Sequence, residues 1–320
     1  MSDAAPSSLP KQDDRRRSYA LAGKAVEVAW LAGGLHIVAT PIGNLGDITL
    51  RALETLAGAD LIACEDTRVT RKLLDRYGIA TPLSPYHEHN AAKARPLLLR
   101  RLAEGAGIAL VSDAGTPLVS DPGYKLVRAV QDAGHPVTAL PGASATLTAL
   151  AVAGLPTDAF LFAGFLPPKQ AARRARIAEL ARVPATLVLF ESGPRLGDSL
   201  ADLAAGLGPQ REAAVCRELT KLHEETRRGD LASLAEIYAQ EAPRGEIVLV
   251  IAPPCEAPAA SAAETESLLR QALARVSLKD AVGEVADATG LPRREIYQQA
   301  LALAKADKKE SQKDAHGAPR

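Results

Sequence analysis

Short apolar runs alternate with amphipathic stretches along the first half of the chain. Four such runs, each preceded by Gly, Asp or Pro, lie at residues 35–39, 61–64, 108–111 and 137–140, with a weaker one near Leu83. Runs of this length and composition predict buried strands. Between them, apolar residues recur at helical spacing, as at Leu50, Leu53 and Leu56. Strands that alternate with helices predict an α/β domain with a largely parallel sheet.

The pattern changes after Pro156. Further strand candidates, with more β-branched residues, lie at residues 159–163, 186–190, 213–216 and 246–251. They predict a second α/β domain. Beyond an Ala/Pro-rich linker, helical periodicity at residues 278–288 and 293–303 flanks a Thr-Gly-Leu-Pro turn, a pattern that is typical of a helix-turn-helix-like unit. This unit is open to two interpretations, a nucleic-acid contact or a helical hairpin packed on the catalytic body.

These shifts in composition predict two α/β domains and a small C-terminal helical domain. The segments are a disordered extension (1–32), the two α/β domains (33–153 and 154–252), a linker (253–263), the helical domain (264–305) and a disordered tail (306–320).

Composition narrows the class of protein. Acidic and basic residues balance at 38 each, and only 3% of residues are aromatic. The low aromatic content argues against a stacking platform for single-stranded nucleic acid, and a polyanion would have to meet local basic clusters. The three cysteines form no CxxC motif, and neither a signal peptide nor a membrane-spanning apolar run is evident. We therefore expect a cytoplasmic protein without a membrane partner.

The stretch GIALVSDAGTPLVSDPGYK, residues 107–125, is the centre of this organisation. Asp113 follows the buried strand, and Gly115, Thr116 and Pro117 predict a tight loop whose backbone can approach a ligand. In open α/β sheets, ligands bind in the crevice outside the carboxyl ends of the strands. We therefore expect a small ligand at this loop. Asp113 as a simple turn cap is the structural alternative.

Five strand-end loops carry a family resemblance when they are taken together and in order. They read ATPIGNLGDIT, CEDTR, YHEHN, SDAGTPLVSDPG and PGASA. The chain resembles the ribosomal RNA small subunit methyltransferase I family, which belongs to the tetrapyrrole-methylase-like class of S-adenosylmethionine-dependent methyltransferases. CEDTR and YHEHN carry most of the RNA-enzyme assignment, because the other loops are similar across the whole class.

The resemblance implies S-adenosylmethionine in the cleft between the two α/β domains. Asp113, Gly115 and Thr116 fall on the main cofactor loop of the class, and Ser144 and Ala145 on the second. The backbone of Phe165-Leu166 and of Gly245-Glu246 is a weaker match from the second domain. It also implies methylation of the ribose 2′-oxygen of a decoding-region cytidine in 16S ribosomal RNA, within the small ribosomal subunit, by a homodimer that needs no metal.

The chemistry requires alignment of the ribose oxygen with the methyl group and removal of a proton. Our candidates near the reacting hydroxyl are Asp66 and Lys221, with Glu191 as a further catalytic candidate. Asp66 would accept the proton or orient the ribose. Lys221 can act as a base only if burial lowers its pKa.

Polar residues of the same loops are candidates for substrate contact. They are Asn44, Arg68, His87, His89, Arg195 and His223, with the two arginines as phosphate ligands. His87 and His89 have a spacing that also suits two metal ligands, but no third ligand cluster accompanies them. The chain has Gly193-Pro194-Arg195 where the family more usually has Pro-His-Arg, so no role for a histidine there is implied.

Two other functions remain open at this stage. A tetrapyrrole C-methyltransferase of the same class would leave CEDTR, YHEHN and the C-terminal helices unexplained. A non-catalytic RNA-binding or assembly factor that kept the cofactor loops would bind the cofactor without turnover.

Overall fold

The computed structural model describes residues 17–118, 123–254 and 262–314. The chain divides into two compact units after Pro254. The first unit holds two five-stranded sheets and a two-stranded hairpin, and the second holds three helices.

An antiparallel hairpin precedes the first sheet. It consists of β1 (Ser18–Leu21) and β2 (Lys24–Glu27), joined by a turn in which Ala22 and Gly23 both have positive φ. Two left-handed turn residues match the twist of a two-residue hairpin. The expectation of a disordered extension is therefore wrong for residues 18–27, and residues 1–16 lie outside the described residues. Tyr19 is buried in the first domain's core, so the hairpin depends on a tertiary contact that local sequence does not reveal.

The first sheet is entirely parallel, as the alternating pattern predicts. Its strands are β3 (Gly34–Val38), β4 (Leu61–Cys64), β5 (Leu83–Pro85), β6 (Gly107–Val111) and β7 (Val137–Leu140), in the spatial order β5-β4-β6-β3-β7. The helices are α1 (Leu50–Gly58), α2 (Thr67–Arg76), α3 (Ala91–Ala103), α4 (Tyr124–Asp132) and α5 (Ala145–Ala153), with a short 3-10 helix at Leu45–Asp47.

Helices cover this sheet on both faces. Helices α1 and α2 pack on one face against Ala109 and Val111 of β6, whereas α3 and α4 pack on the other against Ile108 and Leu110. Strands β3 and β4, which flank β6, therefore lead to one face while β6 leads to the other. Such a topological switch opens a crevice at the carboxyl ends of the strands.

The second sheet is mixed. Its strands are β8 (Phe160–Phe165), β9 (Thr186–Ser192), β10 (Glu212–Arg217), β11 (Glu225–Asp230) and β12 (Glu246–Ile251), in the order β11-β10-β12-β9-β8. Strands β8 and β9 are parallel and the other neighbours are antiparallel. A 3-10 helix at Gly193–Arg195 precedes α7, and the helices are α6 (Gln170–Leu180), α7 (Leu196–Leu207) and α8 (Leu231–Gln240).

The sequence pattern predicts no strand between residues 216 and 246, but the structure has β11 there. The strand reads ETRRGD and lies at the sheet edge, where half-buried charged side chains replace the apolar alternation that would reveal it. Its partner β10 supplies the hydrogen bonds. An edge strand of this kind is recognisable only once its neighbour is known.

The two α/β domains share a core. Helix α5 follows the last strand of the first sheet, yet Ala149, Leu150 and Ala153 pack against Val188 and Val250 of the second sheet. The opposite face of the second sheet is covered by α6, α7 and α8. The first domain therefore contributes one of the two layers that enclose the second sheet.

The C-terminal unit is a three-helix bundle with its own small core. Its helices are α9 (Ala262–Leu273), α10 (Leu278–Thr289) and α11 (Arg293–Asp314), and Leu269, Val285 and Ile296 are buried between them. The predicted helical pair is present, and α9 begins inside the expected linker, whose residues 255–261 lie outside the described residues. A disordered tail was expected from residue 306, but α11 continues to residue 314. Ala, Lys, Glu and Gln favour helix and can extend it beyond the part that is packed. Residues 315–320 lie outside the described residues. Over the described residues, none of the helices combines the length and apolarity required to cross a bilayer.

Candidate functional site

Loops from both α/β domains surround a cavity of about 390 Å³. A cavity of this volume is in the usual range for small-molecule sites. The first domain contributes Ile42, Ala114, Gly115, Thr116, Ser144, Ala145 and Thr146, and the second contributes Phe165, Phe190, Glu191, Ser192, Cys216, Leu219 and Gly245 to Val248. We call it the interdomain cavity.

Backbone pairing holds the first-domain wall of this cavity. Thr40 and Gly115 exchange two hydrogen bonds, each 2.9 Å long, and so join the loop after β3 to the loop after β6. Gly115 has φ +75°, a conformation that favours glycine. The Thr116 hydroxyl donates to the carbonyl of Ala143 at 3.3 Å, which adds the loop before α5. Ser144 caps α5 by accepting the Leu147 N–H.

Four of the candidate cofactor residues of the first domain therefore line one cavity: Gly115, Thr116, Ser144 and Ala145. Asp113 does not line it. Its Oδ1 accepts the backbone N–H of Asp66 at 2.9 Å, and the residue lines a smaller cavity on the other side of the wall. Leu166 lies beneath the surface, and its neighbour Phe165 lines the interdomain cavity instead.

Glu191 is buried in the floor of the interdomain cavity. Its Oε2 accepts the Ser199 hydroxyl at 2.6 Å, and its Oε1 accepts the Ser192 N–H at 2.8 Å. Arg195 lies with Nε 3.5 Å from Oε1, and its Nη2 donates to the Leu166 carbonyl at 2.7 Å. Both side chains are therefore engaged within the protein, and this arrangement stabilises the loop that carries Phe165 and Leu166.

The backbone of Pro243 lies so close to Gly193 that a side chain at position 193 would not fit. A Cβ at this position would overlap the carbonyl oxygen of Pro243. The backbone of residues 243–244 therefore leaves room only for glycine at position 193.

Lys221 lies in a strained loop between β10 and β11. Glu218 and Thr220 have φ of 49° and 67°, values that a β-branched residue such as Thr rarely adopts. The Lys221 ammonium is 2.8 Å from Glu218 and 2.8 Å from Glu246. Glu218 Oε1 also accepts the Glu246 N–H at 2.9 Å. The strained loop is thus tied to the beginning of β12.

These contacts decide the protonation state of Lys221. Burial is the largest single influence and lowers its pKa, but the hydrogen bonds and charges of Glu218 and Glu246 outweigh it, and the net effect raises the pKa. The condition for Lys221 as a base, a lowered pKa, is therefore not met. Lys221 is an ammonium group at neutral pH.

The Lys221 stem crosses to the first domain. A Cβ on Gly43, in the loop after β3, would lie 2.5 Å from Lys221 Cγ. The aliphatic part of the Lys221 side chain therefore packs directly against Gly43.

Asp66 caps α2 and pairs with Arg68. Its carboxylate accepts the Arg68 N–H at 2.8 Å, and the Arg68 guanidinium lies 2.6 Å from Oδ2. The side-chain hydrogen bond from Arg68 is the main reason that the pKa of Asp66 is lowered to about 2. A carboxylate with such a low pKa is a weak proton acceptor. The Arg68 side chain is 87% exposed.

The remaining substrate candidates lie in separate loops. Asn44 caps the 3-10 helix by accepting the Gly46 N–H at 3.0 Å. The rings of His87 and His89 are 6.1 Å apart, and His87 Nδ1 is buried without a hydrogen-bond partner. His223 is exposed. Within the described residues, no cluster of three or more potential ligands could hold a metal ion.

Several lining residues were not predicted from the sequence. Ile42, Phe190, Cys216 and Leu219 supply apolar walls and have no local signal. Gly245 and Glu246, which the resemblance gave as a weaker match, also line the cavity; Gly245 precedes β12, and its φ of +102° favours glycine.

One α/β domain has a parallel five-stranded sheet, the other has a mixed one, and the two enclose a single cleft. This arrangement defines the class of protein. Residues 34–235 match the sequence profile of tetrapyrrole (corrin/porphyrin) methylases, and residues 259–304 match that of the RsmI C-terminal HTH domain. The fold and the first match assign the chain to the tetrapyrrole methylases.

Curated relatives narrow the assignment. A protein of Mesorhizobium japonicum is 53% identical over 85% of this chain and 93% of its own length, and one of Erythrobacter litoralis is 55% identical over 85% and 96%. Both are named ribosomal RNA small subunit methyltransferase I. The chain belongs to the ribosomal RNA small subunit methyltransferase I family.

Solved structures agree on the fold. A cobalt precorrin-4 methyltransferase superposes with a TM-score of 0.53 at 18% identity, over 68% of this chain and 94% of its own. A diphthine synthase gives 0.54 at 17% identity, over 68% and 89%.

The contact between Lys221 and Gly43 leads to a prediction. Gly43→Ala should lower the free energy of unfolding by about 1 kcal/mol, because the new methyl group displaces the lysine stem from a packed position. The Lys221→Ala background should largely remove this cost. Urea unfolding of the four proteins of this double-mutant cycle measures the coupling, and equal costs of Gly43→Ala in both backgrounds would contradict the contact.

Proposed function

We propose that this chain is an S-adenosylmethionine-dependent methyltransferase that methylates the ribose 2′-oxygen of cytidine 1402 in 16S ribosomal RNA. The substrate would be the RNA within the small ribosomal subunit, in the cytoplasm. The observation that carries the proposal is the interdomain cavity, in a chain more than half identical to relatives named for small-subunit ribosomal RNA methylation.

The lining of the interdomain cavity fits the proposed donor. Ala114, Gly115, Ala145 and Gly245 bear little or no side chain, so backbone N–H and C=O groups are accessible to a polar ligand. Ile42, Phe190 and Leu219 supply apolar surface that suits an adenine ring. S-adenosylmethionine would supply an already activated methyl group on its sulfonium, so the protein's main task is alignment.

The charged residues of the site are proposed to orient the substrate. Lys221, as an ammonium group held by Glu218 and Glu246, would attract the ribose oxygen or its adjacent phosphate. Asp66 would orient the ribose, since its low pKa suits it poorly for accepting a proton. Arg68 is paired with Asp66, but its side chain is exposed, so it would also meet an RNA phosphate. Glu191, and Arg195 with it, would keep the second-domain loops in place.

The two other functions are less well supported. The solved tetrapyrrole enzymes share the fold at identities under one quarter, which says nothing of substrate. A non-catalytic factor would leave the Lys221 loop without a reason for its strain. The methyltransferase on ribosomal RNA remains the proposal.

The direct test is mass spectrometry of nuclease-digested 16S RNA from cells with and without the gene. We expect 2′-O-methylcytidine at the target position to disappear with the gene and to return with the intact gene but not with Gly115→Val, because a β-branched residue is strained at a φ of +75° and its side chain would occupy the cavity. An unchanged modification would reject the RNA assignment. Purified protein that binds the donor without methylating small subunits would favour the non-catalytic factor.

The raised pKa of Lys221 predicts how methylation depends on pH. Because Lys221 stays protonated and Asp66 stays ionised between about pH 6 and pH 9, neither should produce a step in the single-turnover rate there. Lys221→Met should lower the rate at least about tenfold at every pH, with Lys221→Arg retaining more activity. A step in the wild-type profile that disappears in Lys221→Met would show instead that the lysine acts as a base.

We also propose a homodimer. Supporting this, β8 is an edge strand with the apolar sequence FLFAGF, and Phe160 at its start is exposed. Exposed apolar residues at a sheet edge are typical of an interface. Sedimentation equilibrium should give twice the chain mass, and Phe160→Glu should shift the equilibrium towards monomer; a wild-type monomer at micromolar concentration would contradict the proposal.

A further inference from the structure

A second cavity of about 180 Å³ lies on the other side of the Thr40–Gly115 wall. It is lined by Thr40, Pro41, Leu45, Val69, Thr70, Lys72, Leu73, Ser112 and Asp113. These residues come from the loops after β3 and β6 and from α2, which follows β4. The cavity is therefore at the carboxyl ends of three adjacent strands, where the topological switch opens the sheet.

One polar group of this cavity lacks a strong partner. Thr70 is 3% exposed, and its buried Oγ1 has no conventional hydrogen bond. Its polar neighbour is the thiol of Cys64, which is outside the cavity lining, donates to the Ser84 carbonyl at 3.7 Å and is a weak hydrogen-bonding group. Buried hydroxyls are normally fully satisfied, so Thr70 can still bind a ligand or a water molecule.

Asp113 is held in one orientation. The N–H of Asp66 binds its Oδ1, while no described residue donates a hydrogen bond to its Oδ2. The carboxylate therefore keeps one oxygen available as an acceptor in the cavity. Because the chain's own backbone fixes the other oxygen, the free one needs little reorganisation to accept a ligand's N–H.

We infer that this second cavity binds the cytosine base of the target nucleotide. The inference rests on the proposed function and adds to it the site that reads the base. Asp113 would accept from the exocyclic amino group, the contact that carboxylates make with cytosine. Thr70 and Lys72 would donate to the ring nitrogen and the carbonyl oxygen.

Shape agrees with this assignment. The cavity is smaller than the range for whole small-molecule ligands, so it suits a single ring. Pro41, Leu45, Val69 and Leu73 provide apolar walls, as in enzymes that hold a base taken out of its stack. Exposed Arg68, on the first turn of α2, is placed to meet the phosphate of such a nucleotide.

The Thr40–Gly115 wall would determine where the cytosine base lies relative to the methyl donor. Residues 40–41 and 112–113 line the second cavity, whereas Ile42 and residues 114–116 line the interdomain cavity. A nucleotide whose base enters the second cavity would thus have its ribose near the top of the shared wall. Uracil would place a carbonyl oxygen against Asp113 and leave the carboxylate unpaired, which provides discrimination.

The test compares unmodified small subunits that carry cytidine or uridine at the target position. Wild type should methylate the cytidine substrate at least about tenfold faster at single turnover. In Asp113→Asn, Oδ1 can still accept the Asp66 N–H, so the amide NH2 replaces the acceptor in the cavity. The cytidine-to-uridine ratio should therefore fall at least about tenfold, with donor binding by calorimetry unchanged.

Matched variants separate this role from a structural one. Thr70→Val, which replaces the hydroxyl with a methyl group of similar size, should lower kcat/KM for cytidine about fivefold without changing donor affinity. Asp132→Asn, an exposed carboxylate on α4, should leave the cytidine-to-uridine ratio and rates unchanged.

The following results would contradict either the base-binding inference or the proposed function. An unchanged ratio in Asp113→Asn, or loss of donor binding in it, would overturn the inference, the latter by returning Asp113 to the donor site. If Asp113→Asn does not fold, an unchanged kcat/KM in Thr70→Val would overturn it, since the cavity would then hold water only. A wild-type protein that methylates neither substrate contradicts the proposed function itself.

Discussion

The site depends on one backbone constraint, the pairing of Thr40 with Gly115. Strands β3 and β6 are neighbours, yet their helices leave to opposite faces of the sheet, so the loops after them diverge. Two hydrogen bonds rejoin these loops into a wall. Gly115 can adopt the necessary positive φ at little cost, and a side chain there would add strain. Every other part of the first-domain lining is positioned relative to this wall.

On the second-domain side, the corresponding constraint is electrostatic. The Glu218 carboxylate lies against Gly245, whose φ of +102° favours glycine, and it binds both the Glu246 N–H and the Lys221 ammonium. Burial alone would favour a neutral lysine, but two carboxylates reverse that preference. The strained backbone of Glu218 and Thr220 is tolerated because these contacts, and the packing of Lys221 on Gly43, determine the loop from several directions.

What could be predicted from the sequence follows from the range of the interactions. The strands of the first sheet and their glycine-containing loops have local patterns, and Gly115, Thr116, Ser144 and Ala145, which come from two such loops, line one cavity. The protonation state of Lys221 depends in part on Glu246, which is 25 residues away in the chain, so no local pattern could give its direction. Likewise, the side Asp113 faces is set by the N–H of Asp66, 47 residues earlier. Strand β11 and the N-terminal hairpin form through partners that periodicity does not show.

Because one wall separates the interdomain cavity from the second cavity, the shapes of the two cavities are coupled. Thr40, Pro41 and Asp113 line the smaller cavity, while Ile42 and Gly115 line the interdomain cavity, and the two groups follow one another along the same two short loops. A substitution that shifts either loop changes both cavities, because the Thr40–Gly115 hydrogen bonds transmit the displacement. Effects of changes on opposite sides of this wall should therefore be non-additive, even when the substituted side chains do not touch. The close packing of these loops thus makes alignment between the two cavities a property of the backbone rather than of any one side chain.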